Sequence, residues 1–94
     1  MNVIEILKNH EELIKHKYGV KRIGIFGSFA RGEAKEGSDI DVLVDFNVGA
    51  KTFDHFMDLK FFLEDLFGRK IDLVTVTALR PQLKEVILRE VTYA

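Results

Sequence analysis

The sequence predicts a small α/β (α+β) sandwich, a mixed β-sheet with helices packed on one of its faces, and three observations carry that expectation. The apolar pattern changes period along the chain in the order helix, strand, strand, helix, strand, helix. The stretch joining the first two strands is too long for a two-residue hairpin and too short for a long crossover helix, which favours antiparallel or mixed pairing. One strand bears a row of carboxylates opposite its apolar side chains, so one sheet face is expected to carry acids rather than helices.

The first element is a helix over about 3–18. Asn2 caps it, the apolar positions Val3, Ile4, Leu7, Ile14 and Tyr18 recur at helical steps, and Gly19 is placed to end it in a left-handed turn. Val20 to Phe26 has Ile23, Ile25 and Phe26 without helical period and reads as a largely buried strand that stops at Gly27-Ser28. Phe29 to Gly37 is short of apolar residues and glycine-rich, consistent with one helical turn followed by a loop. Asp39 to Phe46 then alternates: Ile40, Val42, Val44 and Phe46 share one face, and Asp39, Asp41, Leu43 and Asp45 the other. Asn47 to Lys51 is a loop, Thr52 a cap, and Phe53, Phe56, Met57, Lys60, Leu63, Leu66 and Phe67 a helix face closing at Gly68. The phenylalanines of this helix read as core, although Phe61 and Phe62 together exceed what one face can bury, so that one of them marks a partner surface. Lys70 to Val76 is a third strand, rich in β-branched residues and carrying Asp72. Pro81 suits the first turn of a last helix with Leu79, Leu83, Val86, Ile87 and Val91 as its buried stripe. For Val91 to Ala94 the pattern does not choose between an edge strand and a tail.

Composition bounds the function. Ninety-four residues, 47% hydrophobic, suffice for one domain, 1–94, and leave no room for a second. The 14 basic and 15 acidic residues nearly cancel, so stable nucleic-acid or membrane binding through a global field is not expected. Absence of cysteine removes disulfides, thiolate metal sites and cysteine nucleophiles, and disfavours zinc. No apolar run approaches the ~20 residues of a membrane span, and the first residues lack a signal-peptide layout. The expected location is the cytoplasm.

The chemistry concentrates in Gly27-Ser28, ten intervening residues, and Asp39-Ile40-Asp41. Residues two apart on a strand lie on one face, their Cα atoms about 6.5–7 Å apart, so the carboxylates of Asp39 and Asp41 can converge on shared cations. Hard divalent ions take such oxygen ligands, and without one the crowding drives a carboxylate pKa up. In two-metal sites such ions stabilise the attacking and leaving oxygens of an in-line phosphoryl displacement. Asp72, on its own strand, is the third candidate ligand and a candidate acceptor for the incoming hydroxyl's proton. Gly27 and Ser28 end a strand and open a helical turn, where backbone N–H groups and the Ser28 hydroxyl can address phosphate. Arg31 can bring charge to a triphosphate, its plainer reading being a surface arginine near Glu33 or Glu36. Ser28 is not read as a nucleophile, because no Gly-x-Ser-x-Gly elbow surrounds it and His10, His16 and His55 fall on helices. Each pair alone is more often a plain turn or a solvated face, but the combined spacing arises by chance in roughly one chain in a thousand of this length.

Gly27-Ser28-Phe29-Ala30-Arg31-Gly32, continued by Ser38-Asp39-Ile40-Asp41-Val42-Leu43-Val44, resembles the signature of the DNA polymerase β-like nucleotidyltransferase superfamily, and most closely its minimal nucleotidyltransferase (MNT) group. Arg69-Lys70-Ile71-Asp72-Leu73-Val74 is similar to that group's third-carboxylate strand. The resemblance spans nearly the whole chain and implies a polymerase β palm-like fold, Mg²⁺ (two ions), ATP as substrate and nucleotidyl transfer. It also implies a HEPN-type RNase toxin as partner, AMP being moved onto a tyrosine of it, so that the chain acts as antitoxin. Phe29 stands where such proteins often have a polar or basic residue. With no further domain to hold a second substrate, a protein acceptor that brings its own surface fits better than a primer or a small molecule. Two other readings stay open: a non-catalytic antitoxin that neutralises by binding, and a homodimer that nucleotidylates a small hydroxylated molecule.

Overall fold

The computed structural model describes residues 2–94, and Met1 lies outside them. Its elements run α1 (Val3–Asn9), α2 (Glu11–Tyr18), β1 (Val20–Phe26), α3 (Gly27–Arg31), β2 (Ile40–Phe46), α4 (Phe53–Phe67), β3 (Ile71–Thr75), a 3-10 turn (Val76–Ala78), α5 (Pro81–Glu90) and β4 (Thr92–Tyr93). The four strands form one mixed sheet in the order β3-β2-β1-β4, with β1 antiparallel to β2 and β4, and β2 parallel to β3.

The alternation in β2 determines which side of the sheet is packed. Ile40, Val42 and Val44 are fully buried and pair in register with Ile71, Leu73 and Thr75 of β3, while Val42 and Val44 also oppose Ile25 and Ile23 of β1. Leu7 of α1, Ile14 and Tyr18 of α2, and Leu59, Leu63 and Phe67 of α4 close over this face. Each aliphatic side chain removed from water here contributes about 1.5–3 kcal/mol before entropy is counted. The expected caps are present: Asn2 Oδ1 accepts from the Glu5 N–H at 3.1 Å, Thr52 Oγ1 from the His55 N–H at 3.1 Å, and Gly19 and Gly68 end α2 and α4 in left-handed turns.

Three sequence expectations are corrected. The helix over 3–18 is broken at His10, whose backbone leaves helical values (φ −111°, ψ 9°), whose N–H donates to the Leu7 carbonyl, and whose ring nitrogen lies 2.9 Å from the Ile6 carbonyl. The side chain thereby competes for the backbone group that would have continued the helix. In α4 the buried ridge is Leu59, Leu63 and Phe67, and Phe53 is 77% exposed. Phe53 rims an open depression with Thr75, the last residue of β3, beyond which no strand remains to cover it. Of Phe61 and Phe62, Phe62 packs against Tyr18 and His10 and Phe61 is the exposed one. Finally, α5 buries none of its residues: Leu83 and Val86 are 53% and 58% exposed. The core face is already filled by α1, α2 and α4, and α5 lies instead against α3, with Leu83 and Val86 left exposed.

The last residues form an edge strand. Tyr93 pairs with Gly24 and Thr92 with Ile25, and the Ala94 N–H donates to the Ile23 carbonyl at 2.9 Å. Gly24 permits this, since a Cβ there would meet Val91 Cγ2 at 2.7 Å and the Thr92 carbonyl oxygen at 2.8 Å. Val91 thus lies over the acid-bearing face, where Leu43, the partner of Gly24, is fully buried although outside the main core. Asn2 and Val3 line a depression of about 440 Å³ together with Ile25, Phe29 and Thr92. Among the described residues no helix is long and apolar enough to cross a membrane.

Candidate active site

Strand register assembles the acids. Asp41 of β2 is the in-register partner of Asp72 on the parallel neighbour β3, and on its other side opposes Phe26, the last residue of β1. Adjacent strands lie about 4.8 Å apart, closer than residues two apart on one strand. The tightest carboxylate neighbours are therefore Asp41 and Asp72, not Asp39 and Asp41. Burial pushes the Asp41 carboxyl up to about 6, helped by repulsion from Asp72, by the hydrogen bond a proton between the two would complete, and by the more distant Asp39, with Arg31 opposing. Crowding of this kind was expected from the sequence, but across two strands it involves a different pair.

Asp39 precedes β2 and is exposed. The loop behind it is tied: Ser38 Oγ accepts from the Lys35 N–H at 2.9 Å, the Ser38 N–H donates to the Lys35 carbonyl, and Arg69 Nη1 donates to the Ser38 carbonyl at 3.2 Å. Ser38 is thus committed to the loop. Among the described residues no three His, Cys, Asp or Glu side chains already converge as a metal cage. The site as folded consists of one close carboxylate pair, with Asp39 at the rim.

Gly27 has a role that spacing alone does not reveal. It follows Phe26, so the chain turns at φ +72° directly above Asp41, and a Cβ at position 27 would lie 2.0 Å from Asp41 Oδ2. The glycine supplies both a left-handed turn and the space that the carboxylate occupies. It opens α3 at the end of the sheet where the acids stand, and Ser28, the second residue of that turn, is half-buried.

Arg31 comes near enough to Asp41 to favour its ionised form, but its guanidinium is already engaged. Nε donates to Glu33 at 2.9 Å and Nη1 to Glu90 of α5, and these two carboxylates raise its pKa. The pairing with Glu33 matches the plainer reading of this residue, and that with Glu90 joins positions 59 apart in sequence. Phe29 packs on the core, and the Arg69 guanidinium stands 5.3 Å from its ring centroid. Sequence reasoning assigned no role to Arg69. The available signal was its position, a basic residue immediately ahead of the strand that carries Asp72.

Residues 7–94 match the nucleotidyltransferase domain family. The protein adenylyltransferase MntA of Thermococcus cleftensis is 43% identical over 88 residues, covering 94% of this chain and 88% of that protein. A Methanocaldococcus jannaschii protein provisionally named as a protein adenylyltransferase is 45% identical over 92 residues, covering 95% of this chain and 91% of its own length. A solved structure described as a minimal nucleotidyltransferase superposes with a TM-score of 0.78 at 40% identity, covering 95% of this chain and 93% of that one. A tri-AMPylated Shewanella oneidensis HEPN toxin in complex with its MNT antitoxin superposes with a TM-score of 0.67 at 16% identity over 97% of this chain and 71% of that one, a likeness of fold alone. Sequence match, shared fold and the placement of the acids agree that this chain belongs to the nucleotidyltransferase domain family, within its minimal nucleotidyltransferase group.

Proposed function

We propose that this chain transfers AMP from ATP onto a hydroxyl of a HEPN-type partner, specifically a tyrosine, and acts as that partner's antitoxin. The observation that carries the reading is the Asp41–Asp72 pair, set by strand register at the end of the sheet where Gly27 turns into α3. The adenylyltransferase names of relatives above 40% identity and the HEPN complexes among the structural neighbours support the chemistry and the partner.

The donor set suits a hard divalent cation. Asp41 and Asp72 present hard oxygen donors side by side, and burial together with the neighbouring Asp72 drives Asp41 toward neutrality. Asp39, Asp41 and Asp72 would hold Mg²⁺, as two ions, and the bound metal would supply electrophilic stabilisation of the phosphoryl oxygens. The remaining work falls to the chain. Gly27 and Ser28 receive the phosphates on backbone N–H and hydroxyl donors, and Asp72 accepts the proton of the attacking hydroxyl. The hydroxyl oxygen bonds to the α-phosphorus as the bond to pyrophosphate breaks. Reaction on a partner's tyrosine agrees with acids that stand at the end of the sheet, with Asp39 exposed at the rim.

The test is intact-mass spectrometry of the chain with Mg²⁺, ATP and its HEPN partner, beside an Asp39→Asn/Asp41→Asn control. An AMP-sized increment on the partner, absent in the control, is the expected result. A tight complex without any increment would replace this reading with neutralisation by binding alone.

A further inference from the structure

We propose that Arg69 binds a phosphate oxyanion of the nucleotide, a positively charged contact that the Gly27-Ser28 turn and Arg31 do not provide. The inference rests on the nucleotidyl-transfer reading and deepens it. A triphosphate brought to Asp39, Asp41 and Asp72 meets three carboxylates, so a neighbouring cation is needed in addition to any metal. Arg31 is poorly placed to serve, because Glu33 and Glu90 already hold it. Arg69 differs in each respect. Among the described residues it forms no ion pair, one N–H is spent on the Ser38 carbonyl, and its guanidinium carbon stands 5.3 Å over the Phe29 ring, within cation–π range.

Two contacts restrain the group and leave most of its five donors for an anion. A planar guanidinium fork matches phosphate geometry, and being held in advance lowers the entropy lost on binding. The surroundings match as well. Arg69 lines an open depression of about 420 Å³ that also touches Asp39, Ser38 and Lys70, so two cationic side chains share it with a candidate metal ligand. Arg69 and Lys70 directly precede β3, which places them at the same end of the sheet as Asp72. Phe29, the departure from the polar residue common at that position, acquires a purpose here: it is the platform on which the arginine rests.

Titration calorimetry of the full chain with ATP, pyrophosphate and adenosine in the presence of Mg²⁺ tests this, comparing wild type with Arg69→Gln and Arg69→Lys. Glutamine is neutral and two bonds shorter, so the variant removes the charge while keeping a polar side chain, and lysine restores the charge. Arg69→Gln is expected to weaken ATP and pyrophosphate binding about ten-fold or more, the scale of a charge-assisted hydrogen bond, while adenosine binding is unchanged. Arg69→Lys should recover part of the loss, and serves as the informative variant if Arg69→Gln does not fold. Loss for ATP but not pyrophosphate would assign the contact to the phosphate next to the nucleoside. Equal losses for all three ligands, or none, would overturn the proposal while leaving nucleotidyl transfer standing. A wild-type chain that binds no ATP would overturn both.

Discussion

Asp41 carries its charge at neutral pH against the local preference of the fold. Its carboxyl is raised to about 6, above the ordinary value near 3.8, so between those limits the folded chain binds more protons than the unfolded one. Stability contributed by this group is therefore full at low pH, declines as pH rises from about 4 to about 6, and stays lost above that. Asp41→Asn should raise the melting temperature at pH 7, by on the order of 1 kcal/mol once partial exposure is discounted, or a few degrees. The gain should vanish near pH 4, and transfer activity should be absent throughout. Melting curves at pH 4 and pH 7 check this, and an equal gain at both would locate the effect elsewhere than in the carboxylate. At this scale much was legible. Alternation marked Asp39 and Asp41 as sharing the face opposite the apolar residues, and β-branched neighbours marked Asp72 as a strand residue. What could not be read was which acids touch, because that depends on the register between β2 and β3. Likewise the Arg31–Glu90 pair and the fit of Gly27 over Asp41 join residues that the linear pattern leaves unrelated.

At the scale of elements, the two C-terminal helices should respond differently to the same kind of change. Leu63→Ala in α4 empties a fully buried site and should cost about 2–5 kcal/mol. Leu83→Ser in α5 alters a half-exposed side chain on a helix with no buried residue, and should stay within about 0.5 kcal/mol of wild type. Urea unfolding of both variants is the measurement, and a large loss for Leu83→Ser would mean that α5 is packed more deeply than described. Sequence periodicity finds an amphipathic helix but not whether a surface is left for it to cover, which is why α5 was read as buried. The same reasoning explains Phe53: its spacing fitted α4, but β3 ends before reaching it. The ends of β1 and β2 and the caps of α1 and α4 were readable because glycine, asparagine and threonine act locally. The break at His10 was not, since it turns on one ring nitrogen reaching the Ile6 carbonyl.

For the molecule as a whole, the near balance of 14 basic and 15 acidic residues conceals an uneven distribution around the site. Three carboxylates gather at one end of the sheet, with Arg31 neutralised beside them and Arg69 held apart on an aromatic ring. The expected mixed sheet is present, with its acid-bearing face covered around Leu43 by the C-terminal segment, and the main departure is β4, whose two residues complete the order β3-β2-β1-β4 from the far end of the chain. Because Asn2 and Thr92 line the same depression, the two ends of the described chain are neighbours. Linear order is therefore separable from architecture. A circular permutant in which about 4–8 Gly/Ser residues bridge the old ends, reopened in the 47–51 loop beside the fully exposed Val48, should fold with the acids in place and retain wild-type ATP affinity.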